Sequence, residues 1–225
     1  MQMNQIITKI ERPSKEVMDQ FRNIGSATVH EASGRKGYVD CAIKPIAKGV
    51  RICGPAFTVQ CHPKDNLMLH KALEKAQPGD IIVASVGGYY EAGYWGGLMA
   101  TSAIARKIGG LAIDGCIRDS AEIIKTKWPV FCRGFCIFGT GKTGPGLVNH
   151  PTLFGGTVVN PGDLILGDGD GMVVVARSEC KAVLEKSIER IEAEKKKSVQ
   201  LASGISSVEF NKLGKNFEFL GLKED

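Results

Sequence analysis

"GGLAIDGCIRDS", residues 109 to 120, is the stretch whose reading decides the fold. Leu111, Ala112 and Ile113 form an apolar run without polar alternation, as expected of a strand buried on both faces. Arg118 and Asp119 follow directly, and a helical pattern opens behind them, so the order is strand, charged turn, helix. In an open α/β sheet, ligands bind at the carboxyl ends of strands, which is where this charged pair falls. The three-residue spacing from Asp119 to Glu122 predicts a capping box with aspartate in place of Ser or Thr, holding the Asp119 carboxylate at the helix start.

Working outward, helices and strands alternate. Ser14 begins a helix carrying Val17, Met18, Phe21 and Ile24, and "SATVHEASG" predicts a second from a Ser26 cap to Gly34. Residues 41 to 60 read as strands with a turn at Gly54-Pro55. Asp65 caps a helix with Leu69, Leu73 and Ala76 on one face, and "IIVASV" is the strand after it. Gly87, Gly88, Gly93, Gly96 and Gly97 surround Tyr89, Tyr90, Tyr94 and Trp95 in a loop that enters a helix at its N-terminus. "PVFC", "GTVVN", "LILGD" and "GMVVVA" are short strands, and a last long helix starts near Ser178 with Leu184, Ile188 and Ile191 as its buried stripe. Early alternation followed by clustered strands predicts an α/β layered domain with a mixed sheet. Residues after 198 read as an arm docked on the core or on a neighbouring subunit.

A chain of 225 residues with 43% hydrophobic residues fits one large domain, residues 1–225, with 178–225 as C-terminal helix and arm. The net charge of +5 is spread along the sequence, and Lys195-Lys196-Lys197, following Glu192 and Glu194, reads as a solvated helix face rather than a nucleic-acid patch. Seven cysteines with no CxxC pair read as reduced, buried thiols, and Cys132 and Cys136 lack a second pair to complete a zinc site. The N-terminal stretch lacks a signal-peptide core and no run is long enough to span a membrane, so the expected location is cytoplasmic.

Several motifs fail on inspection. In "CIFGTGKTGPG" the first glycine of a phosphate loop is replaced by Cys136, and Gly144-Pro145-Gly146 would break the helix, leaving a mobile glycine-rich loop. "GDGDG" lacks the glutamate that closes a calcium loop and reads as a hairpin turn. His30, His62, His70 and His150 form no metal-ligand spacing, and GxSxG is absent. What remains is Arg118-Asp119 together with the helix start at Gly96-Gly97, whose free N–H groups suit a carboxylate. An arginine, a carboxylate and an anion-binding helix start fit an α-keto acid held on a divalent metal.

"GSATVHEASGRKG", "DNLMLHKALEKAQPGDIIVA", "GYWGGLMATSAIARKIGGLAIDGCIRD", "NPGDLILGDGDGMVVV" and "EAEKKKSVQLASG" together resemble the 4-hydroxy-4-methyl-2-oxoglutarate and 4-carboxy-4-hydroxy-2-oxoadipate aldolases. These share a fold family with the regulator of ribonuclease activity A, and the resemblance runs from about residue 20 to the C-terminus. It implies a swivelling α/β/β/α sandwich, trimers or hexamers with active sites between subunits, and class II lyase chemistry with Mg2+ or Mn2+, including oxaloacetate decarboxylation. Asp119 would be the direct metal ligand and Arg118 would sit over the keto oxygen. The backbone at Gly96, Gly97, Leu98 and Met99 would hold the substrate carboxylate, and Glu192 matches an acid that reaches the neighbouring subunit's site. One position departs: the aldolases carry an acid twenty residues before the Arg-Asp pair, and here that position is Gly97. Its loss is expected to weaken metal affinity roughly 10- to 100-fold, unless a side chain such as Glu91 replaces it; the glycine could also serve a positive φ angle. The alternatives carried forward are a non-catalytic binding protein of the ribonuclease-regulator kind and a lyase of the same fold with an altered 2-oxo acid substrate.

Overall fold

The computed structural model describes residues 5–223. Its centre is a mixed sheet in the order Lys44–Pro45, Val130–Cys132, Gly110–Asp114, Ile81–Ser85, Ile52–Gln60, Leu164–Gly167, Met172–Val175. The four strands from Val130–Cys132 to Ile52–Gln60 are parallel, and the two that follow Ile52–Gln60 are antiparallel. Residues on each strand alternate between two buried faces. Phe57, Val59, Ile82, Ala84, Leu111 and Ile113 pack under the helices Leu67–Lys75, Gly97–Ala105 and Ser120–Thr126. Ala56, Ile81, Val83, Ala112 and Phe131 form the opposite, inner face with Phe154, Val159, Met172 and Val174. Both-face burial explains why these strands read as continuous apolar runs.

The sheet curls around that inner core. A Cβ on Gly167 would come within 3.0 Å of the Phe131 ring, although four strand steps separate them in sheet order. The helices lie outside the curl, those named above over the parallel half, and Lys15–Phe21, Ser26–Ala32 and Cys180–Ala202 over the antiparallel strands, packed on Leu164, Leu166, Val173 and Val175. The expected α/β/β/α layering with a mixed sheet is therefore present.

Four local expectations need correction. Gly54-Pro55 is not a turn: Ile52–Gln60 runs through it as one nine-residue strand, with Pro55 opposite Leu164. The glycine serves a close approach, since a Cβ there would stand 2.5 Å from the Gly79 carbonyl oxygen. The second helix is capped at Gly25, not by its own Ser26; the Asp168 carboxylate accepts from the Ser26 N–H (2.8 Å) and hydroxyl (2.6 Å). In the long helix Leu184 is buried but Ile188 is 44% exposed, and Cys180, Val183 and Ser187 complete the stripe. No residue from 188 to 223 is buried, which leaves docking on a neighbouring subunit as the open alternative for the arm. Among the described residues no helix is long and apolar enough to cross a membrane. All seven cysteines are free, but only Cys61, Cys132 and Cys180 are buried, and Cys41 is exposed. Burial pushes the Cys61 thiol up to about 12 and those of Cys132 and Cys180 to about 11.

Candidate functional site

Three connections leave the carboxyl ends of neighbouring parallel strands and meet: residues 61–66, 86–96 and 115–119. The last carries the charged pair. Its backbone is fastened on both sides, with the Arg118 N–H donating to the Trp95 carbonyl (2.9 Å) and the Tyr94 N–H to that of Cys116 (3.0 Å). Beyond it, Phe135, Cys136 and Ile137 border a second hollow of about 330 Å3 against Arg118 and Asp119.

Asp119 does not form the predicted capping box. It adopts the left-handed conformation (φ 57°, ψ 34°), outside the extended region of a helix cap, and its side chain makes no bond to its own helix. The Glu122 and Ile123 N–H groups donate instead to the Asp119 carbonyl. The left-handed turn aims the carboxylate at the other helix: Asp119 Oδ2 accepts from the Gly97 N–H at 2.9 Å. An uncommon backbone state at an exposed aspartate is the sort of strain found at functional sites. The carboxylate is 43% exposed and the Arg118 guanidinium, 3.9 Å away, 49%.

The contact with Gly97 has two consequences. The helix N-terminus is partly satisfied from within the chain, leaving Leu98 and Met99 N–H as the first-turn donors for an anionic ligand. Their side chains differ, Met99 being buried and Leu98 89% exposed. The glycines also prove to be sites of close approach. A Cβ on Gly96 would stand 2.7 Å from Asp119 Oδ2, and one on Gly97 would stand 2.7 Å from Glu122 Oε2 and 3.7 Å from Asp119 Oδ2. Gly97 has no positive φ. The carboxylate that stands closest to the place of the missing acid is therefore that of Glu122. The Asp119-x-x-Glu122 spacing was the visible signal: on a helix, i and i+3 share a face, and that face here turns towards Gly97.

The cavity beside this pair measures about 260 Å3, small enough for a metabolite of a few carbons. Gly96, Leu98, Met99, Arg118 and Asp119 form one wall; Asn66, His70, Thr140 and Lys142 form another. Burial, and secondarily the Lys142 charge, hold the His70 imidazole below its usual pKa. The glycine-rich loop expected to be mobile is clamped at Asp65, whose Oδ2 accepts from the Thr143 (2.7 Å) and Gly144 (2.8 Å) N–H groups. Burial opposes the Asp65 charge, but backbone N–H bonds outweigh it and hold the carboxyl below its usual range.

Asp119 and Glu122 offer hard oxygen donors around one point, in keeping with a Mg2+ or Mn2+ ion that keeps most of its waters. Among the described residues no three His, Cys, Asp or Glu side chains gather as a closed metal cage. Glu192 lines neither hollow; it pairs with Lys195 at 2.6 Å, and that bond holds its carboxyl below the usual range.

Residues 14–174 match the family model described as "RraA-like: Aldolase/RraA". A protein of Halalkalibacterium halodurans named "Putative 4-hydroxy-4-methyl-2-oxoglutarate aldolase" is 36% identical over 172 residues, 76% of this chain and 82% of its own length. The crystal structure of Streptomyces coelicolor RraAS2, described as an unusual member of the RNase ES inhibitor RraA protein family, superposes with a TM-score of 0.77 at 26% identity, covering 84% of this chain and 99% of that one. An uncharacterised protein from Pseudomonas syringae gives a TM-score of 0.78 at 27% identity, covering 88% and 97%. The curled sheet, the order of its elements and these likenesses agree: the chain belongs to the RraA-like family, which holds proteins named as aldolases and proteins named as ribonuclease inhibitors.

Proposed function

We propose that the protein is a divalent-metal-dependent lyase that releases pyruvate from a 4-hydroxy-2-oxo acid and decarboxylates oxaloacetate by the same route. The observation that carries this reading is the exposed Asp119 carboxylate, turned by a left-handed residue onto the N-terminus of the helix Gly97–Ala105 with Arg118 beside it. Asp119 would hold Mg2+ or Mn2+, with Glu122 ordering its water shell; the ion supplies Lewis acidity at the 2-oxo group. Leu98 and Met99 N–H take the C1 carboxylate, fixing the substrate's orientation. The C4 hydroxyl gives its proton to a water in the cavity, which can return it at C3; the C3–C4 bond breaks and C4 becomes a carbonyl carbon. The electron pair left at C3 spreads onto the C2 oxygen, and Arg118 meets the charge that develops there. Protonation at C3 then yields pyruvate. In oxaloacetate the departing fragment is carbon dioxide, and the residues keep their roles.

The site is proposed to lie between subunits of a homotrimer or homohexamer. Leu98, Phe135, Ile137 and Phe138 form exposed apolar surface around the charged pair, and the arm carries exposed Val199, Phe219 and Leu220. Glu192 would reach a site only across such an interface. Pyruvate release from oxaloacetate and from 4-hydroxy-4-methyl-2-oxoglutarate, with Mn2+ and after chelation, tests the chemistry; sedimentation tests the assembly. Absence of metal-dependent pyruvate from both substrates, with a ribonuclease retained by the protein, would favour the regulatory reading instead.

A further inference from the structure

The strand Ile52–Gln60 changes neighbours along one of its sides. Leu164–Gly167 pairs with residues 52–55 and Leu147–Val148 with Val59 and Gln60; in the gap between them the Ala56 and Thr58 carbonyls accept from the Gly162 and Asn149 N–H groups, both at 2.8 Å. The N-terminal segment is laid beside this gap as a strap. Ile7 N–H donates to the Val148 carbonyl at 3.1 Å, Asn149 Nδ2 to the Ile7 carbonyl at 2.7 Å, and Glu11 pairs with Arg177. Between strap and body lies a hollow of about 220 Å3, bordered by Ile7, Lys9 and Ile10 on the strap and by Asn149, Pro161 and Arg177 on the body. None of these six residues borders the cavity at Arg118 and Asp119.

Two groups in the hollow are left unused by the chain. Glu11 neutralises Arg177, but among the described residues no carboxylate pairs with Lys9, so the hollow keeps one positive charge. Asn149 is 2% exposed, and with Nδ2 given to Ile7 its Oδ1 is a buried acceptor without a donor. A buried acceptor of this kind is costly until something donates to it. One uncompensated cation and one unused acceptor, in a hollow with apolar Ile7, Ile10 and Pro161, match a monoanion that also carries a hydroxyl. We propose that this hollow is a second ligand site, separate from the cavity at Arg118 and Asp119, and that it takes a small aliphatic hydroxycarboxylate. The carboxylate pairs with Lys9, the hydroxyl donates to Asn149 Oδ1, and the carbon chain lies on Ile7, Ile10 and Pro161. A ligand held in this way ties the strap to the body of the chain. The assignment is independent of the lyase reading.

Calorimetric titration of the full chain in EDTA with 2-hydroxy-4-methylpentanoate and with 4-methylpentanoate, which lacks only the hydroxyl, tests it. The hydroxy acid should bind with a Kd below about 1 mM and about 10-fold more tightly than its analogue. Lys9 is exposed, so its variants should fold: Lys9→Met should weaken binding at least about 10-fold and Lys9→Arg should restore most of it, while Arg118→Ala leaves it unchanged. Hydrogen exchange locates the ligand, which should slow exchange at the Ile7 and Asn149 N–H groups that flank the hollow. Absence of saturable binding, equal affinity for the two acids, or a Lys9→Met variant that binds like the wild type overturns the proposal, as does loss of binding in Arg118→Ala in place of Lys9→Met. Failure of the lyase reading has a different signature: no pyruvate from either family substrate, whatever the titration in EDTA gives.

Discussion

Asp168 and Asp119 each place a carboxylate on the N-terminus of a helix that is not their own, and they do it in opposite ways. Asp168 is nearly enclosed: it accepts from Ser26 N–H and hydroxyl and from Asp170 N–H, with Arg51 at 3.6 Å. Asp119 accepts one backbone bond, is 43% exposed and holds a left-handed backbone to make it. A carboxylate whose lone pairs are used inside the chain fastens elements together. One with lone pairs left open, on a backbone that must be held in place, is arranged for something outside the chain.

Breaking the open member has the largest expected effect. Asp119→Asn retains an amide oxygen for the Gly97 N–H but removes the charge, so metal-dependent pyruvate release should vanish while the melting temperature changes little. Calorimetric metal titration beside thermal melting reads both; a variant that still turns over would remove Asp119 from the metal site.

The enclosed member should show the reverse. Asp168→Ala leaves the Ser26 donors without their acceptor and should cost about 2–3 kcal/mol of stability, measured by urea unfolding, with activity per folded molecule near wild type. Burial would raise the Asp168 pKa, but the Ser26 and Asp170 bonds and Arg51 outweigh it and the carboxyl lies below 3.8. Its folded pKa is therefore the lower one, so its stabilisation is complete above the unfolded pKa and fades as pH falls through the folded pKa. The acid limb of the stability profile should flatten in the alanine variant; an unchanged limb would mean that Asp168 is not the titrating group.

The comparison also marks what the residues made legible. The apolar runs, the layering and the nearness of Arg118, Asp119 and the Gly96-Gly97 helix were readable because periodicity and strand-end position are local properties. The partners of the carboxylates were not. The capping rule that singles out Asp119 is one that Asp119 does not obey, and Asp168 and Asp65 reach bonds 142 and up to 79 residues away, which no short-range spacing encodes. Gly54-Pro55 departs from its turn signal for the same reason: its conformation follows from the strands on either side and from the approach of Gly79.

Glu122 lies between the two kinds of carboxylate, since it shares the space at Gly97 with Asp119 but its carboxylate makes no hydrogen bond or ion pair with a described residue. If it orders the waters of the ion, Glu122→Gln should weaken Mg2+ binding roughly 10- to 100-fold with little change in stability. Direct metal titration reads this without turnover, and undiminished affinity would leave the role of the missing acid unfilled.

The smallest effect, and the sharpest test of the comparison, belongs to Gly97→Asp. The backbone there has no positive φ, so an L side chain fits its conformation, and an acid at the first helical residue is favoured by the helix dipole. What it meets is Glu122 Oε2, 2.7 Å from the new Cβ, the free end of a flexible side chain that can swing away. In the wild-type background the new carboxylate therefore displaces an existing one, and metal affinity should change by no more than about 3-fold, one acceptor for the ion's waters being exchanged for another rather than added. In the Glu122→Gln background the same substitution should recover most of the lost affinity, because the new acid then occupies a vacated place. Two residues that substitute for one another in this way make a strongly non-additive pair, which a double-mutant cycle on Mg2+ affinity measures. Additive behaviour would show that the acid at 97 and the acid at 122 serve different ends, and that only Asp119 is held open for the ion.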